Sequence, residues 1–140
     1  MQIRSYTEKD YPELLQLYSD SSLYGGVVDE NRDAREKLQK RIEADPDAIL
    51  IAEHDGRIVG SVSLIEDGRV AWLFRFAVAH IPNEQAIVAV LVTAASKALK
   101  KKGHHQVLVY TPVGNSRLDT RYEQLGFTKG SDYTCLWKDI

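Results

Sequence analysis

Three apolar runs, at residues 48–53, 58–65 and 70–78, are separated only by His54-Asp55-Gly56-Arg57 and Glu66-Asp67-Gly68-Arg69. An Asp-Gly pair readily takes the positive φ angles of a two-residue turn whose twist suits antiparallel strands, so this stretch predicts a meander of three hairpin-linked strands. That constraint bears on everything else the chain can fold into. In the third run, Val70, Trp72, Phe74, Phe76 and Val78 alternate with Ala71, Leu73, Arg75 and Ala77, so both faces are largely apolar and the strand is expected at the centre of a covered sheet. The aromatic stripe could serve a ligand, but large residues at period two more often fill a core.

The flanking segments read as helices and further strands. Residues 2–6 alternate briefly and meet Thr7-Glu8-Lys9-Asp10, a capping pattern that opens a helix carrying Tyr11, Leu14, Leu15, Leu17 and Tyr18, with Pro12 tolerated in its first turn. Residues 20–30, with Ser21, Ser22, Gly25 and Gly26, read as a loop. Asn31 or Asp29 then caps a second helix bearing Leu38 and Ile42, which stops at Asp45-Pro46-Asp47. A long helix over residues 84–102 turns Ile87, Leu91, Ala94, Ala95, Ala98 and Leu99 toward the sheet, with Gly103 beyond its end. Lys100, Lys101 and Lys102 suit the negative end of that helix's dipole better than a phosphate site. Residues 106–110 form a short strand, joined to the 70–78 strand by a right-handed parallel crossover. A helix over 116–125 and a last strand near 133–137 complete the order. The expectation is an α/β (α+β) fold in one domain spanning residues 1–140, with a mixed, mostly antiparallel sheet of six to seven strands and four helices. A dinucleotide-binding sheet is excluded, because its strands are linked by helices and no Gly-x-Gly-x-x-Gly follows the first strand.

Composition narrows the partners. Charged residues make up 27% of the 140 and sum to a net charge of -2, so there is no basic field for a nucleic acid or an anionic membrane. The single cysteine, Cys135, excludes an intrachain disulfide, and between Thr134 and Leu136 it reads as a small buried hydrophobe of the final strand. No apolar leader and no run of about 18 apolar residues is present, so the expected location is cytoplasmic. His104-His105 has the ligand chemistry of a metal pair, but neighbours on a strand face opposite ways and no third ligand is spaced to join them, so no metal is expected and a surface turn is.

The segment Asn115-Ser116-Arg117-Leu118-Asp119-Thr120-Arg121-Tyr122-Glu123-Gln124-Leu125-Gly126-Phe127 sets Asn, an apolar residue three on, Tyr four further, then Gly-Phe. By itself this describes an amphipathic helix stopped by Gly126. It also resembles the closing motif of the GNAT superfamily of N-acetyltransferases. His54-Asp55-Gly56-Arg57-Ile58-Val59-Gly60 is similar to that family's second hairpin, and Phe74-Arg75-Phe76-Ala77-Val78 to the strand whose backbone receives pantetheine. The resemblance implies acetyl-CoA as cosubstrate. It implies Tyr122 as the general acid that protonates the departing thiolate, and Phe76, Val78, Ala86, Ile87, Val88 and Asn115 as cofactor-binding positions. Direct attack of a primary amine on the thioester follows from it, with a backbone N–H of the 70–78 strand polarising the carbonyl.

The chain departs from the family directly after Val78. Where the family has Arg or Gln, two residues, Gly, one residue and Gly or Ala, this sequence has Asn83, Glu84, Gln85, Ala86, Ile87 and Val88. Glu84 brings negative charge to a helix start where a pyrophosphate would lie, and Val88 brings a branched side chain, so weaker pyrophosphate affinity is expected. An N-cap role for Asn83 and a dipole-matched Glu84 explain the same two residues structurally. No general base stands out among Glu53, Glu66, Asp67, His54 and His80. Asp20, Asp29 and Glu30, with Tyr18 and Tyr24, would suit a cationic small-molecule or peptide amine, although solvated loops carry the same residues. Two functions are compatible with these features: an N-acetyltransferase, or a GNAT-like binding module without catalysis. The apolar final strand with Trp137 also makes a homodimer conceivable.

Overall fold

A computed structural model describes residues 1–21 and 27–140. By internal contacts the chain divides into two compact units, Met1–Val109 and Tyr110–Ile140. The first holds an antiparallel sheet in the order β1-β2-β3-β4, formed by Gln2–Ser5, Ile49–His54, Arg57–Glu66 and Ala71–Val78. Asp55 at φ 50 and Gly56 at φ 73 make the expected tight turn between β2 and β3. The second connection is wider. The Asp67 carboxylate accepts from the N–H groups of Arg69 at 2.9 Å and Val70 at 3.2 Å, so β4 begins at Ala71 and Val70 stays in the turn.

The two faces of the sheet take different helices. Ile51, Ser61 and Ala77 stand side by side across β2, β3 and β4, and Ile51 and Ala77 belong to a core with Leu14, Leu17 and Tyr18 of α1, Tyr11–Asp20. The adjacent row, Ala52, Gly60 and Val78, points the other way, toward α3, Glu84–Lys101. Gly60 is required there: a Cβ would lie 2.7 Å from Ile87 and 2.8 Å from Leu91. Ile87, Leu91, Ala95 and Leu99 are buried as the helical period predicts, and Val88 and Val92 join them.

The entry to α1 is a 3-10 turn, Glu8–Asp10, in which the Asp10 carboxylate accepts from the Thr7 N–H at 2.8 Å. Arg4 donates to both Asp10 oxygens and, through Nε, to Glu53 at 2.8 Å, tying β1 to the turn and to β2. The second helix, α2, is Arg35–Ala44, later than a cap at Asn31 or Asp29 would place it. Asp29 instead caps the preceding turn, accepting from the N–H groups of Asn31 and Arg32. At the far end of α3, Lys102 pairs with Asp45, and His104 Nε2 lies 2.8 Å from Glu66. His104 is therefore buried and only His105 is exposed, which corrects the reading of both as a surface turn.

The sheet has four strands among the described residues, where six to seven were expected. Residues 106–110 touch it at a single parallel bridge, Trp72 with Leu108, in the predicted direction. Residues 133–137 form no strand, and Tyr133, Cys135, Leu136 and Trp137 are exposed, against the expectation of a buried Cys135. An apolar run can enter a sheet only where a free edge meets it in register, and its pattern carries no information about that edge. No helix among the described residues is long and apolar enough to cross a membrane.

Candidate functional site

The feature that makes β4 unlike an ordinary strand is a bulge. Phe74 pairs with Ser63 and Ala77 with Ser61, so three steps along β4 match two along β3. Arg75 takes up the extra residue in the left-handed region, at φ 48. The parity of the strand changes there: Phe74 shares the face of Ser63, whereas Val78 shares the opposite face of Gly60. The expected stripe from Val70 to Val78 along one face is thus broken at Arg75.

The bulge also divides the outer edge of β4. Before it, the Leu73 N–H donates to the Leu108 carbonyl at 2.9 Å, and the Leu108 N–H to Ala71 at 2.9 Å. Beyond it, no strand among the described residues runs along that edge. The Ala79 N–H points inward to Val59 at 2.9 Å, so the N–H of Val78, one residue earlier, faces outward. It donates to Ser21 Oγ at 3.2 Å in a buried position.

A left-handed conformation costs a side-chain-bearing residue about 1–2 kcal/mol, so something must hold Arg75 there. Its Nε donates to Asp33 Oδ1 at 2.9 Å and a second guanidinium N–H to Oδ2. The side chains are 11% and 2% exposed. Asp33 Oδ2 also accepts from the Asp29 N–H at 2.8 Å, and the Asp33 carbonyl accepts from the Tyr11 hydroxyl at 2.9 Å. The guanidinium stacks over the Tyr18 ring at 4.7 Å. Burial pushes the Tyr18 phenol up to about 12, so it stays neutral and cannot act as a base near neutral pH. Being buried, it does not present its ring to an acceptor, as the sequence had suggested.

The other acids and bases named from sequence are dispersed. Asp20 is exposed and accepts from Gln16, Glu30 is exposed, and Tyr24 lies outside the described residues. Hydrogen bonds from the Arg32 and Asn31 N–H groups hold the Asp29 carboxyl below the usual carboxylate range. Glu53 is committed to Arg4 and Glu66 to His104. Glu66 and Asp67 sit at the turn between β3 and β4, about 20 Å of extended chain from Val78. Hydrogen bonds from the Arg69 side chain and N–H bring the Asp67 carboxyl down to about 2. His54 and His80 are exposed. Among the described residues no group of three His, Cys, Asp or Glu side chains could hold a metal ion.

At the start of α3, the Asn83 carbonyl accepts from Ala86 at 3.0 Å and Ile87 at 3.2 Å, and the Asn83 side chain caps nothing. Ile87 packs at Gly60, the β3 partner of Val78, so these two cofactor-binding candidates meet on one sheet face. Val88 is buried as well, which turns its branched side chain into the core; Ala86 is exposed.

In the second unit, α4 is Ser116–Gln124. Asn115 Oδ1 accepts from the Leu118 N–H at 3.1 Å, so Asn115 caps the helix. Gly126 at φ 91 closes it, and the Phe127 N–H returns to the Tyr122 carbonyl at 3.1 Å. The rings of Tyr122 and Phe127 meet edge to face, 5.3 Å between centroids. Asp119 accepts from Thr111 at 2.7 Å and Lys129 at 3.0 Å, tying α4 to the segments before and after it.

Sequence reasoning missed Ser21, Asp33 and the role of Arg75. One signal was present: a lone charge, Arg75, in an otherwise apolar strand demands a buried partner. Nothing in the sequence pointed to Ser21.

Known proteins share the fold of this chain. An acetyltransferase of Photorhabdus laumondii is 24% identical over 127 residues, covering 91% of this chain and 86% of its own. An acetyltransferase of Sodalis glossinidius is 24% identical over 140 residues, covering 100% and 96%. The PaiA N-acetyltransferase of Thermoplasma acidophilum, solved with coenzyme A, has the same fold, with a TM-score of 0.77, 24% identity and coverage of 94% and 92%. So does an aminoglycoside 6'-N-acetyltransferase of Acinetobacter haemolyticus, with a TM-score of 0.76, 17% identity and coverage of 100% and 99%. The sequence model of the acetyltransferase (GNAT) family matches residues 11–127, and the chain belongs to that family.

Proposed function

We propose that this protein transfers an acetyl group from acetyl-CoA to a primary amine of a small molecule or peptide. The observation that carries the reading is the outer edge of β4 beyond Arg75, where the Val78 N–H points out of the ladder to Ser21 and no strand among the described residues follows. Such an edge suits the amide groups of an extended ligand, as an added strand would be suited. Phe76 and Val78 supply that edge, and Ala86, Ile87 and Val88 open the helix beside it. The exposed, small Ala86 leaves room for close approach, and Val88, turned inward, is no obstacle. Glu84, in the first turn of α3, still opposes a pyrophosphate there.

The acceptor must lose a proton before its nitrogen attacks. The C–N bond then forms while the C–S bond breaks, the electron pair goes to sulfur, and the Tyr122 phenol gives the thiolate its proton. The proton that the nitrogen sheds on becoming an amide passes to solvent, from which the Tyr122 phenolate is reprotonated. Asn115 supports this step by capping the helix that carries Tyr122. The exposed acids Asp20 and Glu30, with the ionised Asp29, favour a cationic acceptor.

Two measurements test the reading. Calorimetric titration with acetyl-CoA should show saturable binding, and a panel of polyamines, aminoglycosides, amino acids and peptide N-termini should show turnover best among cations. Tyr122→Phe should lower kcat by about 10²- to 10³-fold with unchanged cofactor affinity. Binding without turnover on any amine would instead support a non-catalytic module, the reading that Glu84 favours.

A further inference from the structure

Ser21 follows the last residue of α1, and its backbone N–H closes that helix by donating to Leu17 at 2.9 Å. Its side chain has a separate task. Ser21 is 1% exposed, and its hydroxyl oxygen accepts from the Val78 N–H at 3.2 Å. An N–H that leaves a ladder inside a protein needs an acceptor, because a buried donor left unpaired is costly. A serine hydroxyl suits such a post: it accepts without carrying charge, and it is small enough to withdraw.

We propose that the Ser21 hydroxyl stands in for the ligand at the Val78 N–H. It satisfies that donor in the unliganded protein and yields it to a carbonyl oxygen when acetyl-CoA binds. This inference rests on the proposed function above. It makes Ser21 a positioning residue that holds cofactor affinity below what the β4 edge can deliver, because each binding event must first break the Ser21 bond. The bulge supplies the geometry: Arg75, held by Asp33, turns the strand so that the Val78 N–H meets Ser21 on the outer edge.

Ser21→Ala removes the acceptor and keeps the helix closure, which uses the main chain only. In the free protein, amide hydrogen exchange at Val78 should accelerate about tenfold or more, while Ala79, bonded to Val59, keeps its protection. Acetyl-CoA titrated into the variant should bind about tenfold more tightly, a difference of about 1.4 kcal/mol. Ser21→Thr, which retains the hydroxyl, should restore wild-type affinity. Unchanged Val78 exchange in Ser21→Ala would overturn the proposal. So would equal or weaker binding of acetyl-CoA by that variant while the wild type binds, and in that case the proposed function stands. If neither protein binds acetyl-CoA, the proposed function fails and the stand-in role falls with it.

Discussion

Asp33→Ala isolates the interaction that shapes β4. The substitution removes a carboxylate 2% exposed, which accepts from Nε and a second N–H of Arg75 and from the Asp29 N–H. The Arg75 side chain is 11% exposed beside Asp33, and the Tyr18 ring covers one side of its guanidinium. Removing one partner of a buried pair typically costs about 3–5 kcal/mol, because the remaining charge stays desolvated without its counter-ion, and the Val27 carbonyl, which accepts from Arg75 at 3.3 Å, replaces only part of that. An exposed pair would cost at most about 1 kcal/mol and would be screened by salt. Total stability of a domain this size is on the order of 5–15 kcal/mol, so the expected loss is a large share of it. Urea unfolding followed by circular dichroism at neutral pH should show the midpoint falling with little change in slope, and thermal unfolding a drop of roughly 10 °C. The loss should persist in high salt. Arg75→Gly in the same background removes the stranded charge and allows φ 48 without strain, so the double variant should recover part of the loss. A loss under about 1 kcal/mol, or one abolished by salt, would refute the view that this pair is buried and holds the bulge.

Two further outcomes follow from packing and charge. Gly60→Ala should destabilise by about 1–3 kcal/mol in the same unfolding assay, because its Cβ would lie 2.7 Å from Ile87, whose branched side chain is buried against the sheet. Acid should weaken the fold through Glu66 and Asp10. The His104 hydrogen bond and the Gly68 N–H hold the Glu66 carboxyl below its ordinary 4.5. Burial pushes the Asp10 carboxyl up, but the Arg4 hydrogen bonds and the Thr7 N–H outweigh it and hold it below 3.8. Both folded values are depressed, so their stabilisation is complete above the unfolded values and is lost as the pH falls through the folded ones. Unfolding midpoints measured from about pH 6 down to about pH 3 should decline, with a shallower decline in Glu66→Gln.

Much of the fold was legible in the sequence because its signals are local. The Asp55-Gly56 turn, the helical period of residues 84–101 and the Gly126 stop each depend on a few neighbouring residues, and each appears where the pattern puts it. The second Asp-Gly pair was read less well, because the Asp67 side chain captures two N–H groups and widens the turn. The strands expected at 106–110 and 133–137 failed for a different reason. Pairing is decided by a distant edge, and the edge of β4 is available to Leu108 only before the bulge.

The sequence by itself determined the family and the order of β1–β4 and the four helices, since turn residues, period and the spacing from Asn115 to Phe127 are properties of short segments. The tertiary structure alone decided how β4 is presented. Arg75 looks like one more residue of a regular alternation until Asp33, 42 positions away, draws it into the left-handed region and reverses the parity beyond it. Ser21 meets Val78 from 57 positions away, so no local pattern could place its hydroxyl on that N–H. Contacts at such separations are set by which faces pack together, and short-range residue pattern carries no record of them.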